Sequence, residues 1–197
     1  GEVRENRVFY MSVPPFLFSD VAHALSKTGL ISPEAETGWS RVVLEKPFGK
    51  DRISSDALTD EIARVFSEAQ VYRIDHYLGK EVIQNLLVLR FANLIFDPIW
   101  NRGHIEHVRI SFMEDKGLEG RAGYFEEYGI LRDMVQNHLL QILALVAMEQ
   151  PVSLDAHHIR DEKVKALRSI APVTLKDIVV GQYGPGTYGG THRSEER

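Results

Sequence analysis

The spacing of apolar residues changes period several times along the chain, and each change marks an element. Arg7 to Val13 has a strand-like run that stops at Pro14-Pro15, where a missing amide hydrogen ends any ladder. From Phe16 to Lys27 apolar residues fall at 17, 18, 21, 22 and 25, a helical spacing, and Gly29 follows where helices commonly terminate. A polar loop over 31–40 leads into Arg41-Val42-Val43-Leu44, a continuous apolar run that predicts a buried parallel strand ending at Glu45-Lys46-Pro47-Phe48-Gly49. Strand, helix, strand in this order predicts an open α/β sheet, which holds ligand groups in the crevice beyond its strands' carboxyl ends. Lys46 is the candidate there, because Pro47 biases it away from helical dihedrals and keeps it at the strand tip.

Asp51 to Ser67 predicts a surface helix with Ile53, Leu58, Ile62, Val65 and Phe66 on one side, and Val71 to Ile74 a short strand. Beyond Lys80, apolar residues from Val82 to Ile95 cover most of a helix circumference, which predicts a helix buried on several sides and ending near Asp97-Pro98. Ile105 to Met113 alternates, with Val108, Ile110 and Phe112 on one face, and predicts a strand with Glu114 at its end. Gly117, Gly120 and Gly123 make 115–123 a turn-rich loop whose spacing does not match a dinucleotide fingerprint. Tyr124 to Met148 predicts the longest helix, Ile159 to Ser169 a charged one, and Val173 to Val180 a strand, with a loop over 181–197.

Composition narrows the classes. The chain has 197 residues, 44% of them hydrophobic and 26% charged, which is ordinary globular usage. No apolar run reaches the roughly 18 residues of a membrane span, so no membrane partner is expected. A net charge of -5 argues against nonspecific nucleic-acid binding, and the absence of cysteine removes thiolate chemistry and cysteine metal sites. No metal is expected. The chain opens Gly-Glu-Val-Arg-Glu-Asn-Arg, without an initiating methionine or a secretory pattern, and the expectation is an internal segment.

Two places carry chemistry. Asp75-His76-Tyr77-Leu78-Gly79-Lys80 puts an acid, an imidazole, a phenol and an ammonium into six consecutive residues beside an apolar run. Charges near a core need partners or a ligand, so such density points to a site; the alternative is a helix N-terminus capped by Asp75, with Lys80 solvated. On the 124–148 helix, at about 100° per residue, Asp133, Asn137, His138 and Gln141 fall within one arc of about 140° on an otherwise apolar surface. That makes His138 a candidate catalytic base, the alternative being a core histidine satisfied by a backbone carbonyl.

Four blocks in order, Val43-Leu44-Glu45-Lys46-Pro47-Phe48-Gly49, Arg73-Ile74-Asp75-His76-Tyr77-Leu78-Gly79-Lys80-Glu81, Arg102 with the Ile110-Ser111-Phe112 strand, and Gly123-Tyr124-Phe125 running on to Arg132 through Gln141, resemble the glucose-6-phosphate dehydrogenase family. The resemblance implies that His138 is the general base taking the C1 hydroxyl proton of glucose 6-phosphate, and that Asp75 orients it. It implies that His76, Tyr77 and Lys80 hold the 6-phosphate, that Glu114 and Asp133 accept sugar hydroxyls, and that Lys46 stands between sugar and nicotinamide. Pro14 and Pro47 would line the side of the coenzyme, NADP. The family's glycine-rich fingerprint is absent from the sequence.

The resulting expectation is an α/β and α+β chain: residues 1–48 as the end of a Rossmann-type parallel sheet, and 49–197 as part of a β+α domain with an antiparallel sheet and long buried helices. The resemblance also implies a homo-oligomer, a dimer or tetramer, in a cytoplasmic or organellar location. The other reading is a truncated, non-catalytic fragment that binds a sugar phosphate or serves assembly.

Overall fold

The structure is a computed structural model, and it describes residues 6–31, 38–114, 117–118, 120, 122–182, 184, 186–188 and 191–193. The expected loops at 31–40, 115–123 and 181–197 lie partly outside the described residues. The chain divides into two compact units, Gly1–His76 and Tyr77–Arg197.

The first unit holds three parallel strands, β1 (Arg7–Met11), β2 (Ser40–Leu44) and β3 (Val71–Arg73), in the order β1-β2-β3. Two helices, α1 (Phe18–Lys27) and α2 (Arg52–Ala63), supply Phe18, Ala22 and Ile62 to a core completed by Met11, Val42, Leu44 and Phe66. Ser40, Val42 and Leu44 are buried, while Arg41, between Ser40 and Val42, is exposed and Val43 is half-buried. The expected buried parallel strand is thus present but covered on one face, because among the described residues helices cover only one side of the sheet. The other side exposes Val8, Tyr10 and Tyr72 and stacks the Arg41 guanidinium 4.4 Å from the Trp39 ring centre.

Local chemistry fixes the ends of these elements. Gly29, at φ 68, follows α1, a left-handed stop that a side chain would resist. Asp51 caps α2 by accepting the Ser54 amide at 2.8 Å, while the Ser54 hydroxyl approaches the Asp51 amide at 3.1 Å, a reciprocal capping box. The buried amide of Gln70 donates to the Ser40 carbonyl at 2.9 Å, tying the turn before β3 to the start of β2.

The second unit contains α3 (Glu81–Phe91), α4 (Ala122–Ile130), a π-helical stretch (Leu131–Leu139), α5 (Leu140–Ala147), α6 (Ala156–Arg168), and an antiparallel pair, β4 (Gly186–Tyr188) with β5 (Thr191–Arg193). Several expectations change here. The longest helix is not continuous: Gly129 at φ 67, ψ 163 breaks it, in a region open essentially to glycine alone. Residues 105–114 are not a strand, because among the described residues no neighbouring segment takes up their backbone hydrogen bonds. Residues 173–180 hold a short 3-10 turn, Leu175–Asp177, in place of a strand. The terminal loop contains the β4/β5 pair.

Helix α3 is not the buried helix its composition suggests. Val82 and Val88 are exposed, and its one buried residue is Arg90. That guanidinium reaches the end of α5, donating to the carbonyls of Leu145 at 2.6 Å and Met148 at 2.7 Å, while the Trp100 indole donates to the Val146 carbonyl at 2.9 Å. Carbonyls at a helix C-terminus lack partners within the helix, so these donors complete it. Burial pushes the Arg90 pKa below its ordinary value, and Glu149 and Asp97 act in the opposite direction.

Substitutions at two positions test these constraints. A Cβ at Gly49, which sits at φ 90, would lie 2.6 Å from the Ser55 amide nitrogen, a backbone atom at the start of α2. Gly49→Ala is therefore expected to lower the unfolding free energy by about 1–3 kcal/mol in urea titration. Arg90→Met leaves two buried carbonyls without donors and should cost about 3 kcal/mol, whereas Arg90→Lys, lacking the planar fork, should recover less than half of that loss.

Candidate active site

In the first unit the register Met11↔Leu44↔Arg73 aligns the carboxyl ends of all three strands. Pro14 follows β1 by three residues, Lys46 and Pro47 follow β2, and Asp75 and His76 follow β3, so the parallel sheet delivers all five to one edge. The Ile74 amide donates to the Leu44 carbonyl at 3.0 Å, which extends the alignment to the residue before Asp75. Lys46 and Asp75 are half-buried, His76 and Pro14 are exposed, and the Lys46-Pro47 peptide is cis. At the same edge the Tyr10 hydroxyl donates to the Glu45 carboxylate, and that bond, with lesser burial and charge effects, raises the Tyr10 pKa.

The second unit builds its polar centre around one ring. Tyr77, buried, stacks on His138 with centroids 4.1 Å apart and planes 22° apart. Phe112 meets the Tyr77 ring edge-on at 5.7 Å, and the Lys80 ammonium stands 3.8 Å from the same ring's centre. Lys80 occupies the position just before α3, so its side chain is at a helix start while its amide donates back to the Tyr77 carbonyl at 3.1 Å. Asp75 is thus not the cap of that helix.

The π-helical stretch carries two buried polar groups, His138 itself and Asp133. Its hydrogen bonds run from i to i+5, so residues five apart lie one turn apart and share a face. Asp133 and His138 are such a pair. Their separation within the sequence-derived arc closes because the helix is wider than an α-helix there. Asp133 accepts a hydrogen bond from the Tyr124 hydroxyl at 3.0 Å, and Tyr124 stacks on Tyr128 with centroids 4.7 Å apart. Asn137 and Gln141 are half-buried, and among the described residues the buried Gln141 side-chain oxygen has no hydrogen-bond partner.

The expected residues therefore gather in three sets. Pro14, Lys46, Pro47, Asp75 and His76 share the sheet edge, Tyr77, Lys80 and His138 share a stack, and Asp133 sits one π turn from His138. Glu114 is exposed, two residues beyond Phe112, and no described contact joins it to the others. Sequence reasoning missed Tyr124 and Phe112 as contributors. Gly129 inside a helical pattern was the available signal for Tyr124, since a break folds the preceding turn back toward the following one.

Two family descriptions match consecutive parts of the chain: "Glucose-6-phosphate dehydrogenase, NAD binding domain" over residues 1–85 and "Glucose-6-phosphate dehydrogenase, C-terminal domain" over 87–196. Among curated relatives, the chloroplastic glucose-6-phosphate 1-dehydrogenase 1 of Arabidopsis thaliana is 56% identical over 185 residues, covering 94% of this chain and 31% of the relative. The Dictyostelium discoideum glucose-6-phosphate 1-dehydrogenase is 54% identical, covering 93% of this chain and 36% of the relative. A solved glucose-6-phosphate dehydrogenase in complex with its substrate glucose-6-phosphate superposes with a TM-score of 0.84 at 46% identity, covering 95% of this chain and 38% of that one. The corresponding enzyme of Mycobacterium avium gives 0.76 at 39% identity, covering 85% and 36%. This chain thus spans about a third of the length of the relatives it matches. With both family descriptions matched end to end and the parallel-sheet edge and buried histidine in place, the chain belongs to the glucose-6-phosphate dehydrogenase family.

Proposed function

We propose that these residues form the reacting part of an NADP-linked glucose-6-phosphate dehydrogenase, which oxidises glucose 6-phosphate at C1 to 6-phosphogluconolactone. The observation that carries this reading is the stack of Tyr77 on His138 with the Lys80 ammonium over the same tyrosine ring. It combines a fully buried imidazole with a cation, the two groups needed to take a proton at one end of a sugar phosphate and hold a dianion at the other.

His138 takes the proton of the C1 hydroxyl while the C1 hydrogen leaves as hydride and the C1–O bond becomes the lactone carbonyl. The imidazolium that forms gains from the electron-rich face of Tyr77. Asp75 accepts the remaining N–H of His138 and holds the ring in the reactive tautomer. Lys80, His76 and Tyr77 hold the 6-phosphate, whose two charges would draw the Lys80 ammonium away from the tyrosine ring. Asp133 and Glu114 accept sugar hydroxyls, and Lys46 neutralises charge between sugar and coenzyme.

For the coenzyme, the sheet edge fits: three aligned strand ends with a half-buried lysine are where open α/β sheets take a nucleotide. Pro14, Lys46 and Pro47 would line it, and the chemistry NADP supplies there is acceptance of the hydride. Residues 1–48 are read as the end of that coenzyme domain and 49–197 as part of the substrate domain. Homo-oligomeric assembly, and a cytoplasmic or organellar address, belong to the same reading. No described helix is long and apolar enough to cross a membrane, and the relatives' names include chloroplastic and cytoplasmic forms.

A second reading is a segment that binds the sugar phosphate with little turnover, the Lys80 cation holding the ester without the base acting on it. Calorimetry and NADP reduction with the full chain separate the two. Glucose 6-phosphate is expected to bind well above glucose, and Lys80→Ala should weaken only the phosphate ester, by about ten- to a hundredfold. Equal losses for both sugars would refute the clamp. His138→Asn is expected to leave glucose 6-phosphate affinity within about twofold while lowering any NADP reduction by about 10²–10⁴-fold. Turnover unchanged by that substitution sinks the base assignment, and slow turnover in the unaltered chain supports the second reading.

A further inference from the structure

We propose that Tyr124 is a specificity-determining positioning residue: its hydroxyl fixes the Asp133 carboxylate in the orientation that accepts one sugar hydroxyl of glucose 6-phosphate. The inference rests on the sugar-binding role proposed above for Asp133.

The Tyr124 hydroxyl donates to Asp133 Oδ1 at 3.0 Å across nine residues of chain. In a straight α-helix nine residues advance about 13.5 Å along the axis, beyond the reach of a tyrosine. The bond exists because the backbone leaves helical dihedrals at Gly129, φ 67 and ψ 163, so that the turn bearing Tyr124 folds back on the π-helical stretch. The tyrosine ring is held independently of its hydroxyl: it stacks on Tyr128 at 4.7 Å and meets Phe125 edge-on at 5.8 Å.

A clamped ring therefore presents one hydroxyl to one oxygen of a carboxylate that is only 6% exposed. A buried carboxylate needs hydrogen-bonded partners, and a hydroxyl donating to an anion makes one of the stronger bonds available. With Oδ1 engaged, the carboxylate cannot rotate freely, and the directions of the Oδ2 lone pairs are set. Recognition of a particular sugar hydroxyl requires that direction. A hydroxyl that merely stabilised the buried charge would affect every ligand alike.

The experiment is calorimetric titration of the full chain with glucose 6-phosphate and its 2-, 3- and 4-deoxy analogues. Asp133→Asn first identifies the analogue whose affinity no longer depends on Asp133, because the hydroxyl it held is missing. Tyr124→Phe keeps the ring and its stacking, and is expected to weaken glucose 6-phosphate about tenfold while leaving that one analogue within about twofold. Melting temperature is expected to fall by about 3–12 °C, because a bond to a buried carboxylate is lost, and the double variant should bind no worse than Asp133→Asn alone. Equal losses on every sugar, or no loss on any, overturn the inference while wild-type binding stands. An Asp133→Asn variant that does not discriminate among the analogues overturns it too. Failure of the wild-type chain to bind glucose 6-phosphate instead overturns the proposed function, and this inference with it.

Discussion

The face-to-face contact of Tyr77 with His138 is the interaction on which the second unit's polar chemistry depends. An imidazole with no solvent exposure cannot be left among aliphatic side chains without cost, and a π-rich neighbour is one that favours either of its protonation states over hydrocarbon. The contact also links two elements far apart in sequence, the turn before α3 and the π-helical stretch. Arg90 serves the same region from outside it: by completing the carbonyls at the end of α5 it ties α3 to the helix that continues directly from His138. The buried charge is thus structural, and its fork geometry explains why this leucine- and valine-rich helix keeps an arginine on its covered side.

The first unit solves a different problem by simpler means. Parallel strands in register must end together, so whatever follows each strand is delivered to the same edge without any dedicated contact. Gly49 and the Asp51–Ser54 capping box then start α2 immediately beyond Pro47 and Phe48, with Phe48 packed on the core. This leaves Lys46 and Glu45 little room to be drawn into a helix. The strand tip is therefore a consequence of tight packing behind it, and the glycine at φ 90 is where that packing is closest.

What could be read from residues alone divides along the same line. The parallel strands, α1, α2 and the cluster from Asp75 to Lys80 were legible, because each rests on short-range period, glycine or proline placement, or charge density. The 105–114 strand was not, since alternation gives a segment's faces but not the partner that would satisfy its amides. Helix α3 misled in the opposite sense: apolar residues all round predict burial only if enough neighbours exist to cover them, and α5 together with Trp100, under the Arg90 guanidinium, covers one side. The longest helix failed at Gly129, where a single residue with access to positive φ outweighed a long run of good helix formers.

That failure is also the informative one. Drawn as an ideal α-helix, Asp133 and His138 are separated around the circumference and Tyr124 is remote from both. Drawn with its break and its π register, the same sequence puts Asp133 and His138 one turn apart and brings a phenol hydroxyl onto the carboxylate. A π segment leaves a wider, less well packed helix and is uncommon at this length, so its retention requires a compensating gain. Here the compensation is specific: the wider turn lets two buried polar residues share a face, and the preceding break supplies one of them with a donor. A straight helix would satisfy its backbone more cheaply and leave the buried carboxylate without its tyrosine.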